Sequence, residues 1–307
     1  MSYQFNEFHW ANDIKAGQYL QPATLAEALD MLASFGGKAR VIAGGTDLVP
    51  SLRQRHLEVE ALVDVSRLPG MDGIARQGEV VSLGGGVTHA QAASSPVVAE
   101  AAGLLAAGAG SVGSPQIRNV GTLAGNLIAG QPAADTSLPL LALDAWVTIA
   151  SPQGQREEPL NGFFLGKGRT KLDPGREIMT GIHFKALGQG RGGSYQRLAK
   201  RKAMTLPMLV AAVVAGVDPG RKVFTGAAIA LGPVAPTPLR AAQAEALLAG
   251  APVSAESVAA AVEKASEESS PRDSCLRGSC DYRREMVKVF VRRGLADALA
   301  QAGCPLD

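Results

Sequence analysis

An apolar run, Val41-Ile42-Ala43, ends on Gly44-Gly45-Thr46-Asp47, and a second apolar stretch starts at once with Leu48. This segment, "RVIAGGTDLVPSLR" from Arg40 to Arg53, constrains the architecture more than any other. A short buried strand has to end in a two-glycine turn and hand the chain straight to a helix, with Pro50 limiting how early that helix is regular. A strand needs no hydroxyl and carboxylate at its end, whereas an anionic ligand gives the turn a use. Consecutive amides in a Gly-Gly turn form a concave set of donors for phosphate oxygens. A helix beginning at Asp47 or Leu48 adds its N-terminal partial positive charge, and Thr46 adds a hydroxyl. Taken alone, such a turn is more often plain turn chemistry.

The 307 residues are too many for one small core and fit two domains, or one with sub-domains. A hydrophobic content of 46% is that of a globular chain and argues against disorder. The 36 glycines imply many tight turns or close approaches of backbone to a ligand. With 30 basic against 28 acidic residues, the charge gives no reason to expect nucleic acid. The start, "MSYQFNEFHWANDIK", has acids and no apolar h-region, so no signal peptide is expected. Apolar runs such as Leu209–Val217 fall short of the ~20 residues of a spanning helix. The default is a soluble cytoplasmic protein with no membrane span.

The three cysteines, Cys275, Cys280 and Cys304, make no disulfide framework and no CxxC pair. Three sulfurs cannot supply the four thiolates an iron–sulfur cluster usually takes, so free thiols are expected. His9, His56, His89 and His183 are scattered, with no pair at a metal-binding spacing, and no metal site is expected on this chain.

Along the chain, Thr24–Gly36 reads as a capped helix. Ala61–Leu68 and Glu79–Gly86 read as strands. "THAQAASSPVVAEAAGLLAAGAG" is helical and broken near Pro96. "SPQIRNVGTLAGNLIAGQPAADTS" opens as a glycine-punctuated loop region, and the stretch closes on the strand "AWVTIAS". A domain boundary is expected near Asp173–Arg176, giving domains 1–175 and 176–307. Beyond it come meandering strands, with "DPGRK" (Asp218–Lys222) as a hairpin turn, and then amphipathic helices. The last helix is expected to place Tyr282, Met286, Val289, Phe290 and Arg293 on one face.

Several glycine loops are decoys. "GQGRGG" (Gly188–Gly193) matches GxGxxG by letter, but the strand-like "SYQRLAKR" follows where a helix should open. "GFFLGKGRT" fails the P-loop spacing, and "GGGVTH" is a strand-end turn. A second informative bend is "GTLAGN" (Gly121–Asn126). Its glycines let backbone approach a ligand, Asn126 both donates and accepts, and Asp135 in "AGQPAAD" offers a carboxylate suited to ribose hydroxyls. A diphosphate flanked by two sugar-like arms would use two such loops.

"RVIAGGTDLVPSLR", "SPQIRNVGTLAGNLIAGQPAAD", "LPLLALDAWVTIASPQGQRE" and "RGSCDYRREMVKVFVRRGL" together resemble the FAD-binding (medium) subunit of the molybdenum hydroxylases. That family includes xanthine dehydrogenase, carbon monoxide dehydrogenase and 4-hydroxybenzoyl-CoA reductase. The resemblance runs in order over nearly the whole chain. It implies an α+β fold: a two-lobed FAD-binding domain of the PCMH/vanillyl-alcohol-oxidase type, then a C-terminal domain with a small antiparallel sheet and helices. It implies that Val41, Ile42, Ala43, Gly44, Gly45, Thr46, Asp47 and Leu48 wrap the FAD diphosphate. Thr122, Leu123, Gly125 and Asn126 would form the second loop, and Asp135 would contact the ADP half. Ile178 would lie near the flavin, and Tyr195 would cover the isoalloxazine. No cysteine precedes Cys275, so the extra iron–sulfur cluster of the 4-hydroxybenzoyl-CoA reductase flavin subunit is not expected.

By the same resemblance, a molybdenum cofactor on a large subunit and two [2Fe–2S] clusters on a small subunit pass electrons to FAD on this chain, and then to NAD or another acceptor. The assembly implied is a dimer of heterotrimers. Flavin chemistry belongs to the cofactor, so no catalytic acid or base is assigned. Two other readings stand beside this one. A self-contained reductase of the UDP-N-acetylenolpyruvoylglucosamine reductase type would need a substrate acid near the flavin, and the sequence has no convincing motif for it. A non-catalytic nucleotide-binding assembly subunit is the other.

Overall fold

The structure is a computed structural model that describes residues 16–54 and 56–306. His9 and the start expected to lack an h-region lie outside the described residues. The first unit is strand β1 (Ala16–Leu20), helix α1 (Leu25–Ser34), β2 (Ala39–Ile42), α2 (Leu48–Arg53) and β3 (Val59–Asp64). The strands are parallel, in the order β1-β3-β2. Helix α1 forms as its sequence dictates: the Thr24 hydroxyl accepts from the Glu27 amide at 3.2 Å, and the Glu27 carboxylate accepts from the Ala23 amide at 2.7 Å. Pro50 sits in the first turn of α2, where its missing N–H costs nothing.

The second unit is an antiparallel sheet with six helices inserted. The strands β4 (Ile74–Gln77) and β5 (Val80–Gly84) precede α3 (His89–Ser94), α4 (Pro96–Ala101), α5 (Gly103–Gly110), α6 (Pro115–Val120), α7 (Leu123–Ile128) and α8 (Ser137–Ala142). Then come β6 (Trp146–Ser151), β7 (Gly154–Pro159), the small pair β8 (Phe164–Gly166) and β9 (Arg169–Thr170), and β10 (Ile178–Lys185). The sheet order is β4-β5-β10-β6-β7. The stretch expected to open as a loop region, from Ser114 onward, instead coils into short helices. Ser114 and Thr122 each cap one by accepting the amide three residues on, and Pro115 sits at the first helical turn. Each has only 6 residues, too few to show a helical period in sequence.

The third unit is β11 (Arg191–Leu198), β12 (Leu209–Asp218), β13 (Val223–Gly232) and β14 (Leu239–Arg240), with α9 (Ala242–Leu248), α10 (Ala255–Glu268) and α11 (Cys280–Gln301). Val210, Ala212 and Val214 of β12 join the core of the second unit, while Leu209, Ala211 and Val213 pack under the C-terminal helices. Burial on both faces explains why β12 reads as an unbroken apolar run. At the β12–β13 turn, the Asp218 carboxylate accepts the Gly220 and Arg221 amides at 3.0 and 3.2 Å. "GQGRGG" leads into β11 and not into a helix.

Two expectations shift. The strand after Arg176, β10, lies in the middle of the five-stranded sheet, paired with β5 and β6. The change of sheet therefore falls between Lys185 and Arg191, after the boundary expected at 175. Helix α11 buries Arg283, Val287, Phe290, Val291, Gly294, Leu295, Ala298 and Leu299, and leaves Tyr282 exposed. Phe290 is on the inner face as expected and Met286 and Val289 pack at its margin, but the face is centred on Val287, Val291, Leu295 and Ala298, with Gly294 close against Val213.

Candidate functional site

The two bends meet. A Cβ built on Gly44 would lie 1.9 Å from the Val120 carbonyl oxygen and 2.9 Å from the Gly121 nitrogen. The turn after β2 is thus pressed backbone to backbone against the start of the second bend. Thr46 Oγ1 lies 3.4 Å from the point a Gly121 Cβ would occupy. Gly45 has φ +66, the left-handed region that favours glycine. It reverses the chain so that α2 can start, with the Val49 amide donating to the Gly45 carbonyl at 2.9 Å.

Donor accounting separates structure from site. Among the described residues, the amides of Gly44, Gly45, Thr46, Asp47 and Leu48 have no hydrogen-bond acceptor. Amides at a helix start have no intrahelical partner, and here the two residues of the glycine turn extend that row of available donors. In the second bend, the Leu123 amide donates to Val87 O at 3.0 Å, the Gly125 amide to Thr122 Oγ1 at 3.0 Å and the Asn126 amide to Thr122 O at 3.0 Å. The Thr122 and Ala124 amides have no acceptor among the described residues. Gly125, expected as a donor, thus has its amide taken by the helix cap. Ala124, which the sequence did not single out, has one to offer.

The remaining expected residues divide by burial. The side chains of Ile42 and Leu123 are core, at 8% and 0% exposure, and Val41, Ala43 and Leu48 pack against core clusters. Ile42 and Leu123 can offer a ligand only main chain, whereas Val41, Ala43 and Leu48 are half-buried. Asp47 is exposed by area yet crowded by neighbouring chain, and that desolvation raises its carboxyl above the ordinary value. Asn126 Oδ1 accepts from the Thr136 hydroxyl at 2.7 Å, which orients the side chain and leaves its NH2 as a donor. The Ile178 side chain, expected near the flavin, is 2% exposed and packs in the core of the first unit.

Asp135 and Tyr195 were expected at opposite ends of a dinucleotide, but the structure joins them. The Tyr195 hydroxyl donates to Asp135 Oδ1 at 2.6 Å, and Arg197 Nε donates to the same oxygen at 2.9 Å. All three are largely buried where β11 meets the loop before α8. Burial raises the Asp135 carboxyl, with Arg197 and Tyr195 pulling the other way, and burial pushes the Tyr195 phenol well above its ordinary value. The direction that governs is the pairing: Arg197 stays charged, and a guanidinium at hydrogen-bond distance keeps its partner a carboxylate. The two expected residues therefore mark one place, not two ends.

His89, the first residue of α3, is a site residue that sequence reasoning missed. It is 3% exposed, its amide donates to Gly121 O at 2.9 Å, and its ring lies against Gly121. Its one sequence signal was its place three residues after the "GGG" turn. Burial, with the Arg118 guanidinium nearby, lowers its pKa to about 4, so the ring is neutral near pH 7. Among the described residues, no group of His, Cys, Asp or Glu could hold a metal ion, and no helix is long and apolar enough to cross a membrane.

Paired backbone donors without protein acceptors, with a hydroxyl between them, suit a phosphate group, and two adjoining bends suit a diphosphate. The donor set suits the diphosphate of FAD: amides of both bends lack protein acceptors, and Gly44, which has no room for a Cβ against Val120 and Gly121, is what lets the bends lie side by side. Comparison with known proteins places the chain in a family. The sequence profile of the FAD binding domain in molybdopterin dehydrogenase matches residues 12–184, and that of the CO dehydrogenase flavoprotein C-terminal domain matches residues 194–298. The chain is similar to the carbon monoxide dehydrogenase medium chain of Hydrogenophaga pseudoflava, 34% identical with 92% of this chain and 97% of the relative covered. It is also similar to the putative xanthine dehydrogenase FAD-binding subunit of Escherichia coli K12, 33% identical with 94% and 98% covered. Among solved structures, carbon monoxide dehydrogenase from Hydrogenophaga pseudoflava superposes with a TM-score of 0.87 at 34% identity, over 92% of this chain and 97% of that one. Quinoline 2-oxidoreductase from Pseudomonas putida 86 gives 0.85 at 29% identity, over 94% and 98%.

Proposed function

The chain belongs to the FAD-binding medium-subunit family of the molybdenum hydroxylases, and from that premise we propose that it carries electrons from two [2Fe–2S] clusters on a small partner subunit, through its own FAD, to NAD or another acceptor. Its first domain is an FAD-binding domain, and the protein is an oxidoreductase subunit. The finer parts of the reading are a large molybdenum subunit as the ultimate electron source, assembly as a dimer of heterotrimers, and a cytoplasmic location.

The observation that carries the reading is the abutment of Gly44 on Val120–Gly121, with unpartnered amides on both sides. In this reading the amides of Gly44 to Leu48 take one phosphate and those of Thr122 and Ala124 the other, with Thr46 bridging. Charge-assisted bonds to backbone amides are about twice as strong as neutral ones. The Asn126 NH2 donates to the adjoining sugar. Asp135, fixed by Arg197, keeps its second oxygen for a ligand hydroxyl, and Tyr195 closes that end against water. FAD, when bound, supplies the exchange between single-electron and hydride transfer. The chain's residues bind it, orient it and keep water from it.

The test is an absorption spectrum of the natively purified complex with a census of its subunits, followed by addition of NADH. The reading expects a flavin band on iron–sulfur absorbance, co-purifying small and large chains, and bleaching by NADH or by another acceptor's reduced form. A flavin-containing chain that purifies alone and reduces its own substrate favours the self-contained reductase. Absence of flavin favours the assembly role.

A further inference from the structure

The His89 ring sits directly beneath the two bends and has no assigned task. Its Cδ2 is 3.3 Å from the point a Gly121 Cβ would occupy, and Thr46 Oγ1 is 3.4 Å from the same point. The two ring nitrogens differ. Nδ1 is sealed from solvent and has no partner. Nε2, bonded to Cδ2, makes no hydrogen bond among the described residues, yet it is not sealed. The ring's unsealed nitrogen is therefore the one next to the carbon that lies against the second bend.

The proton's position follows. A buried donor without an acceptor costs more than a buried acceptor left without a donor, because unpaired N–H groups are the rarer of the two in folded proteins. The tautomer that leaves Nδ1 as a bare lone pair therefore wins, and the proton sits on Nε2. The charged group acting on the ring is Arg118, whose Nη1 donates to Val112 O at 2.9 Å; no carboxylate acts on it. A second positive charge on the imidazole would meet that guanidinium in a buried setting, so the ring serves as a neutral donor.

We infer that His89 is a further ligand of the flavin nucleotide, its neutral imidazole donating Nε2–H to a phosphate oxygen held between the two bends. This rests on the flavin reading above and adds a side-chain ligand to a site otherwise made of main chain. Its signature is affinity that stays flat where an ordinary histidine titrates, since a ring that does not change charge there cannot change its bond.

The full chain, stripped of flavin in the assembly in which it purifies, would be titrated with FAD from pH 5.5 to 8.5 by quenching of flavin fluorescence. The wild type is expected to bind with a constant Kd across that range. His89→Phe keeps the ring's bulk and removes the donor, and should raise Kd about tenfold, which is about 1.4 kcal/mol. His89→Gln, whose Nε2 reaches the same region, should stay within about threefold. A Phe variant with wild-type Kd overturns the inference, as does wild-type affinity that falls as pH rises through 6 to 7.5. Should the Phe variant not fold, 15N-histidine NMR of the wild type decides. A proton on Nε2 whose nitrogen shifts on FAD addition supports it, whereas an Nδ1–H tautomer or an unmoved Nε2 overturns it. A wild type that binds no FAD sinks the flavin reading and this inference together; a wild type and Phe variant that bind alike sink this inference alone.

Discussion

Gly44→Ala is a one-methyl change with a large expected effect. The new Cβ would lie 1.9 Å from Val120 O and 2.5 Å from Val120 C, both backbone atoms that cannot rotate away. An ordinary carbon–oxygen contact is near 3.3 Å, so the bends must part by more than about 1 Å. Overpacking of this kind costs about 1–3 kcal/mol of stability. Its cost to ligand binding is larger, because a parting of that size lengthens the bonds from one bend while the phosphates stay on the other. Losing two amide bonds to a charged phosphate, each worth about 1.5–3 kcal/mol, removes about 3–6 kcal/mol. That is roughly a hundredfold to ten-thousandfold loss of FAD affinity. The assay is flavin per chain after gel filtration, with FAD titration of the stripped protein and a urea midpoint on the same sample. Gly192→Ala is the matched control: its Cβ would lie 2.0 Å from Ala298 O, an equal insult far from the bends. It should lower the urea midpoint and leave the flavin Kd of the folded fraction unchanged. A folded Gly44→Ala protein that holds stoichiometric FAD at wild-type affinity would refute the reasoning.

Three further outcomes are expected. Tyr195→Phe removes one of the two bonds to Asp135 Oδ1 and should cost about 1 kcal/mol in urea unfolding, whereas Arg197→Met leaves a buried carboxylate unpaired and should cost about 3–5 kcal/mol. His89, with a folded pKa of about 4 against an ordinary 6.5, binds its proton more readily unfolded; its contribution is full above pH 6.5 and is lost as pH falls toward 4, about 3 kcal/mol in all. His89→Phe should flatten that part of the stability–pH curve, and an unchanged slope would deny the buried neutral ring. Arg240 links β14 to the second unit through Leu141 O at 2.9 Å and through Asp144, and also pairs with Glu245; Arg240→Met should lower the unfolding free energy by about 3 kcal/mol without changing flavin Kd.

What the sequence showed and what it hid follow from the range of each interaction. The Gly44–Gly45 bend was legible because a strand, a left-handed glycine and a helix start are consecutive in the chain. The hairpin at Asp218–Lys222 was legible for the same reason. The contact between the bends was not, since Gly44 and Val120 share no local signal. Nor was the Asp135–Tyr195–Arg197 cluster, which joins the loop before α8 to a strand some 60 positions later. A family resemblance placed Asp135 and Tyr195 one at a time, and only their shared oxygen shows that they act together. His89 stayed hidden because a lone histidine after a turn has no pattern, and its meaning lies in which edge of the ring the fold leaves open. The short helices Pro115–Val120 and Leu123–Ile128 hide in a stretch that opens like a loop because one or two turns carry caps but no period.

The account turns on where a bound dinucleotide's diphosphate lies, and a crystal structure of the chain with FAD measures that directly. The expected result is phosphate oxygens about 2.8–3.2 Å from amides between Gly44 and Leu48 on one side and from those of Thr122 and Ala124 on the other. A diphosphate resting elsewhere, with those amides facing only water, would contradict it.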